Sequence, residues 1–407
     1  MQHEFLSTLG PSFEFEPVAR ISVLTTGLEA GTFRILATEG SARTGELHTD
    51  HGIIRTPAFM PVGTAGSVKS LSTEEVVDTG ADVILGNTYH LWLRPGTAFL
   101  REWGGLRNFN RWPKALLTDS GGFQAWSLAK IRKIDDEGIT FASHLDGTRL
   151  RFTPESVLEA QRDIGADVIM ALDECTPHDA DYRTAERSWE RTLAWTRTMA
   201  DLWRQDPTAH GHKQLLFPIV QGALHDGLRE RSAREVAELD LPGNAIGGLS
   251  VGEPEPDMYR IAKLCCDILP AAKPRYVMGV GTPRNLLELV DRGVDMFDCV
   301  MPTRNARNGM VFTWNGSFHY KAAMVADDKR PIDPECGCMA CRSGYSRGYL
   351  RHLYKASEIL PLRLATVHNI HFYQELMDAS RRSILDGTWS SFKRDTLRRL
   401  EGKGEPA

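Results

Sequence analysis

The sequence predicts an α/β fold, a closed (β/α)8 barrel of the TIM type, on three observations. Eight short apolar runs recur along the chain, at residues 57–62, 83–87, 115–118, 167–172, 215–220, 244–247, 275–279 and 296–299. Amphipathic helical patterns separate most of them, at 73–79, 154–164, 185–204, 227–239, 258–268 and 283–292. Such alternation implies βαβ units and a parallel sheet. The third observation is the number: eight repeats fit a closed barrel, with an open doubly wound sheet as the alternative.

Taken in order, the predicted strands end in polar and glycine-rich sequence. The second runs into Gly86-Asn87-Thr88-Tyr89-His90-Leu91, and the third into Asp119-Ser120-Gly121-Gly122-Phe123-Gln124. The fourth ends in Asp173-Glu174-Cys175, the fifth in Val220-Gln221-Gly222 and the sixth in Gly247-Gly248-Leu249-Ser250-Val251-Gly252-Glu253. The seventh ends in Met278-Gly279-Val280-Gly281 and the eighth in Asp298. In a barrel the C-terminal strand ends build the active site. Three aspartates, Asp119, Asp173 and Asp298, converge there. Any one of them reads equally as a helix N-cap.

From about residue 312 the rhythm breaks. Cys336-x-Cys338-x-x-Cys341 is followed by His368, and helical patterns run over 346–360 and 368–385. Three thiolates and an imidazole form a closed tetrahedral set of the structural zinc type. The alternative is three reduced cysteines sharing a loop. The chain therefore divides into an extension at 1–30, a barrel at 31–311 and a zinc-binding helical subdomain at 312–407.

Composition bounds the function. The 407 residues are 25% charged and 42% hydrophobic, as in a globular protein. No stretch approaches a membrane span, and the start Met1-Gln2-His3-Glu4-Phe5 carries no secretory pattern. The remaining cysteines, Cys175, Cys265, Cys266 and Cys299, suggest no disulfide framework, so a reducing cytoplasm is expected. The net charge of −5 argues against bulk nucleic-acid affinity. Its distribution points elsewhere: residues 301–407 hold 17 Lys and Arg against 11 Asp and Glu, leaving the first 300 residues strongly acidic. A polyanion meeting the C-terminal third, or a solvated basic helix, explains that asymmetry.

Two strand-end carboxylates can divide a glycosidic reaction, one attacking the anomeric carbon and one moving protons. A third, with Gln221, can read a guanine edge. A carboxylate accepts from N1–H and N2–H2, and Gln221 and the Gly248 backbone offer donors to O6 and N7. Phe123 and Met278 read equally as stacking partners for a base or as core residues.

At these segments, with Asp298 through Gly309 and the cysteine set, the chain resembles the bacterial type of queuine tRNA-ribosyltransferase, or tRNA-guanine transglycosylase. The resemblance runs from about Thr56 to His368. It implies a (β/α)8 barrel with a zinc subdomain, and exchange of the wobble guanine of GUN-anticodon tRNAs for a 7-deazaguanine. It implies Asp298 as the nucleophile toward ribose C1′ and Asp119 as the general acid/base. It implies base recognition by Asp173, Gln221, Gly248 and Leu249, with Ser120 nearby. It further implies anticodon-loop contacts from Arg304 and Arg307, zinc on Cys336, Cys338, Cys341 and His368, and a homodimer. Cys175 and Val251 match the bacterial pattern, which favours 7-aminomethyl-7-deazaguanine as the incoming base. The alternatives are a non-catalytic tRNA-binding subunit of the same fold and a (β/α)8 glycoside hydrolase.

Overall fold

A computed structural model of the chain describes residues 27–127 and 132–402. Eight parallel strands fall into two hydrogen-bonded groups. Leu215–Phe217, Val168–Met170, Ala115–Thr118 and Val83–Gly86 form the first. Ile219–Val220, Asn244–Ile246, Arg275–Val277, Met296–Cys299 and Ala58–Pro61 form the second. The bridge between Val62 and Leu85 joins them at one seam. At the other seam they are one strand, 215–220, interrupted at Pro218, which has no N–H for the ladder. The ring closes, and the open-sheet alternative falls.

Side chains alternate across each strand with a period of two. Ala58, Met60, Val83, Leu85, Leu117, Val168, Met170, Phe217, Tyr276 and Met296 belong to one buried cluster within the ring. The same parity carries Leu117 on to Asp119 and Met296 on to Asp298. Both aspartates therefore rise from the inner face at the C-terminal end of their strands. The strands' other face packs against helices including Pro154–Ile164, Tyr182–Gln205, Asp226–Glu238, Glu255–Ile268 and Pro283–Val290. Tyr182–Gln205 starts ahead of the predicted residue 185 because Asp181 caps it, accepting from Thr184 N at 2.8 Å.

Two three-stranded antiparallel sheets, and the short hairpins Thr208–Ala209/His212–Lys213 and Met310–Thr313/Gly316–His319, are additional to the predicted strands. Phe33–Glu39, Ala42–Thr49 and Gly52–Thr56 form a meander ahead of the barrel. Arg132–Asp135, Gly138–Ala142 and Arg149–Phe152 form another between the third barrel strand and the Pro154–Ile164 helix. Most of the extension predicted over 1–30 lies outside the described residues.

The C-terminal segment carries helices Arg347–Lys355 and Leu360–Leu385. The latter begins well before the predicted residue 368. Pro361 suits a first helical turn, where its missing N–H needs no partner. His368 thus sits two turns inside the helix and is fully buried. This helix is docked on the barrel: Gln374 Nε2 donates to Phe59 O at 3.0 Å, and Tyr373 Oη donates to Gly281 O. Among the described residues no helix is long and apolar enough to cross a membrane.

Candidate active site and metal centre

A cleft of about 460 Å³ opens at the C-terminal strand ends. Of the predicted site residues, Asp119, Ser120, Phe123, Asp173, Cys175, Gly248, Leu249, Met278, Asp298 and Arg304 line it. Asn87, Gln124, Val251 and Tyr276 line it too. Phe123 is 44% exposed, so the core reading of this residue does not hold. Gln221 is buried behind Asp173, and Arg307 is half-buried with its Nε donating to Thr303 O at 3.1 Å.

Asp298 is held through one oxygen. Its Oδ1 accepts from Tyr276 Oη at 2.5 Å and from Gly279 N at 2.8 Å. Among the described residues no donor meets Oδ2. Burial raises its pKa, and the Tyr276 and Gly279 hydrogen bonds oppose that rise. Tyr276 is itself fully buried, and burial with the adjacent Asp298 charge keeps its phenol protonated. Sequence reading missed Tyr276. Its one signal is parity, because the middle residue of the Arg275–Val277 strand points inward beneath Asp298.

Asp119 is held through both oxygens. Asn87 Nδ2 donates to Oδ2 at 2.6 Å, and Thr88 N donates to Oδ1 at 2.8 Å. Thr88 Oγ1 also donates to Asp119 O at 2.5 Å, fixing the backbone. Burial outweighs these bonds and pushes the carboxyl up to about 6, with a further small push from the Asp298 charge. Such a group gains and loses a proton near neutrality.

Asp173 is braced differently. Ser120 Oγ donates to its Oδ1 at 2.9 Å, Gln221 Nε2 to its Oδ2 at 2.8 Å, and the Cys175 thiol lies 3.5 Å from Oδ2. Burial still raises its pKa. Gln221 therefore spends an amide N–H on Asp173, and its Oε1 is buried with no partner among the described residues. Gly248 adopts φ +64°, and a Cβ there would fall 2.6 Å from Gln221 Oε1, so glycine is required. Beyond it, Glu253 takes the N–H groups of Ser250 and Val251, the latter at 2.9 Å. That clamp holds Ser250 at φ +60°, a rare region for a side-chain residue.

The metal-ligand candidates come together in the C-terminal segment. Cys336, Cys338, Cys341 and His368 are buried, with ligand atoms all within 4.8 Å of one another. His368 Nε2 lies 2.7 Å from Phe312 O, which fixes the proton there and leaves Nδ1 as a lone pair. That Nδ1 lies 3.4 Å from Cys341 Sγ and 3.7 Å from Cys338 Sγ. The donor set suits a metal ion: three soft sulfurs and an imidazole with its second nitrogen already bonded.

The family model for queuine tRNA-ribosyltransferase matches residues 38–402. The chain belongs to this family. A queuine tRNA-ribosyltransferase of Francisella tularensis subsp. novicida is 48% identical over 365 residues, covering 90% of this chain and 98% of the relative. One from Caldanaerobacter subterraneus is 50% identical, covering 89% of this chain and 96% of the relative. One from Desulforapulum autotrophicum is 50% identical, covering 91% and 99%. The matched span takes in the barrel, the 132–152 sheet, the C-terminal helices and all of the meander except residues 33–37.

Proposed function

We propose that this chain exchanges the wobble guanine of GUN-anticodon tRNAs for 7-aminomethyl-7-deazaguanine, through a covalent aspartyl-ribosyl intermediate. It is a pentosyltransferase of the tRNA-guanine transglycosylase type. One observation carries the mechanism: three carboxylates, Asp119 and Asp173 buried and Asp298 half-buried, open on one cleft, each with a different set of partners.

Asp298 is the nucleophile. Its Oδ1 is pinned, and Oδ2 is the oxygen that no donor among the described residues meets. Attack on C1′ forms the Oδ2–C1′ bond and breaks C1′–N9, and the bonding pair leaves with guanine. Asp119, with a pKa near 6, gives the departing purine its proton. It then takes the N9 proton of the incoming 7-deazaguanine. The N9 pair attacks C1′, and Asp298 leaves as a carboxylate. The two carboxyl groups suit these roles because their surroundings differ.

Asp173 receives the N1–H and N2–H2 edge of the base. Gln221 acts first as the brace of Asp173, and the Gly248 and Leu249 backbone offers donors to O6. Phe123, Met278 and Cys175 complete the base pocket, and Val251 limits what extends from C7. Arg304, exposed at the mouth, meets the anticodon loop, with Arg307 in a lesser part. We assign zinc to Cys336, Cys338, Cys341 and His368, where it would brace the 312–407 subdomain against the 31–311 barrel. A homodimer working in the cytoplasm completes the reading.

A non-catalytic tRNA-binding subunit has no need of three carboxylates braced on one cleft. A glycoside hydrolase leaves the metal centre and Arg304 unexplained. Incorporation of labelled guanine into an unmodified tRNA with a GUN anticodon tests the reading. Absence of incorporation by metal-loaded protein would refute it.

A further inference from the structure

Arg229 stands in the first turn of the Asp226–Glu238 helix and is fully buried. Among the described residues it forms no ion pair with a carboxylate. A buried guanidinium without a counter-ion is costly, so its partners are informative. All of them are carbonyls. Nε donates to Ala223 O at 2.8 Å, and Nη1 donates to Val220 O at 3.1 Å and Gly247 O at 2.8 Å. Nη2 donates to Gly248 O at 3.3 Å.

Two of these carbonyls belong to consecutive peptides of the cleft wall. In a trans peptide the N–H points opposite to the C=O. With Gly247 O and Gly248 O turned toward Arg229, the N–H groups of Gly248 and Leu249 turn away from it. Gly248 and Leu249 line the cleft, and among the described residues neither N–H has an acceptor. Arg229 thus stands behind a pair of open donors, with two peptide dipoles aligned between its charge and the cleft.

We propose that Arg229 is a positioning residue for the base. It sets the Gly248 and Leu249 N–H groups toward the C6 oxygen of the purine, and its charge acts through those peptides on the leaving group. This rests on the exchange reading above. When C1′–N9 breaks, the bonding pair delocalises over the purine, and negative charge reaches O6. Preorganised donors stabilise charge that develops at such an oxygen. Bonding of a peptide C=O to a cation strengthens the N–H of the same peptide as a donor.

The test uses metal-loaded Arg229→Met and Arg229→Lys with unmodified tRNA. Guanine KM, tRNA Kd and thermal midpoint are measured for each beside the wild type. Arg229→Met should raise the guanine KM on the order of tenfold or more, the scale of one charge-assisted hydrogen bond. Arg229→Lys keeps the charge but not the fork, and should fall between Met and wild type. The tRNA Kd should not move in either. A folded variant with wild-type guanine KM would overturn the proposal. So would guanine KM and tRNA Kd worsening together as the midpoint falls, the pattern of a purely structural arginine. If Arg229→Met does not fold, the Lys variant decides by the same split. A wild type that incorporates no guanine defeats the exchange reading itself, which is a different outcome.

Discussion

Tyr276 Oη donates to Asp298 Oδ1 at 2.5 Å, from one barrel strand to its neighbour, and no donor among the described residues meets the second carboxylate oxygen. This bond opposes the upward push of burial on the Asp298 pKa. Tyr276→Phe keeps the ring and removes the donor. Asp298 should then titrate at higher pH, so its reactive anion is lost sooner as pH falls. We expect guanine exchange to slow about tenfold at neutral pH, with the acid limb of kcat displaced upward. Superimposable pH–rate profiles of variant and wild type would leave Tyr276 without this part.

Asp119 links the site to stability. Its folded pKa of about 6 lies above the ordinary value of 3.8. The folded state therefore favours the protonated acid. That contribution is full below about pH 4 and is lost as pH rises through about 6. Asp119→Asn should be more stable than wild type at pH 7.5, on the order of 1–3 kcal/mol. Asn87 can turn its amide to meet the new one. The gap should close as pH falls toward 4. Urea unfolding at several pH values measures it, and a gap that does not change with pH would contradict the account. The same variant should lose base exchange.

The metal centre yields a coupled expectation. Cys338→Ala should lower bound zinc and destabilise the protein on the order of 4 kcal/mol or more, as metal loss does. The asserted coupling fails if metal analysis finds no zinc in folded wild type. It also fails if the variant unfolds at the wild-type temperature.

Arg304 and Arg307 should separate. Arg304 is exposed at the cleft mouth, whereas the Arg307 Nε is already engaged by Thr303 O. Arg304→Ala should flatten the dependence of log tRNA affinity on log salt by about one unit, and Arg307→Ala by less. Neither should change guanine KM. Equal slopes for all three proteins would make Arg304 an ordinary surface charge.

The barrel was legible because buried parallel strands are short apolar runs, as at Val83–Gly86 and Val168–Met170. The meander at Phe33–Thr56 was not, since its strands carry polar residues such as Arg34, Arg43 and Glu46 among glycine turns. The start of the Leu360–Leu385 helix is not legible because Pro361 reads as a break between two helical patterns, although it suits a first turn. Asp119, Asp173 and Asp298 stand out as charged residues at apolar strand ends. Their supports do not. Asn87 lies 32 positions from Asp119, Tyr276 lies 22 from Asp298, and Gln221 lies 48 from Asp173. Each pair meets only when neighbouring parallel strands align their C-terminal ends, and no local spacing encodes that. Arg229 hides for a further reason: it reads as one more polar residue on an amphipathic helix until its carbonyl partners are seen.

The covalent bond between Asp298 and ribose C1′ can be trapped. Metal-loaded wild type, mixed with unmodified GUN-anticodon tRNA and quenched in denaturant, should yield a protein–tRNA adduct on a denaturing gel. Asp298→Asn should yield none, because an amide offers no anionic oxygen to the anomeric carbon. It should bind the same tRNA with unchanged affinity and salt dependence. An adduct of wild-type abundance in Asp298→Asn, or near-normal guanine exchange by it, would contradict the account.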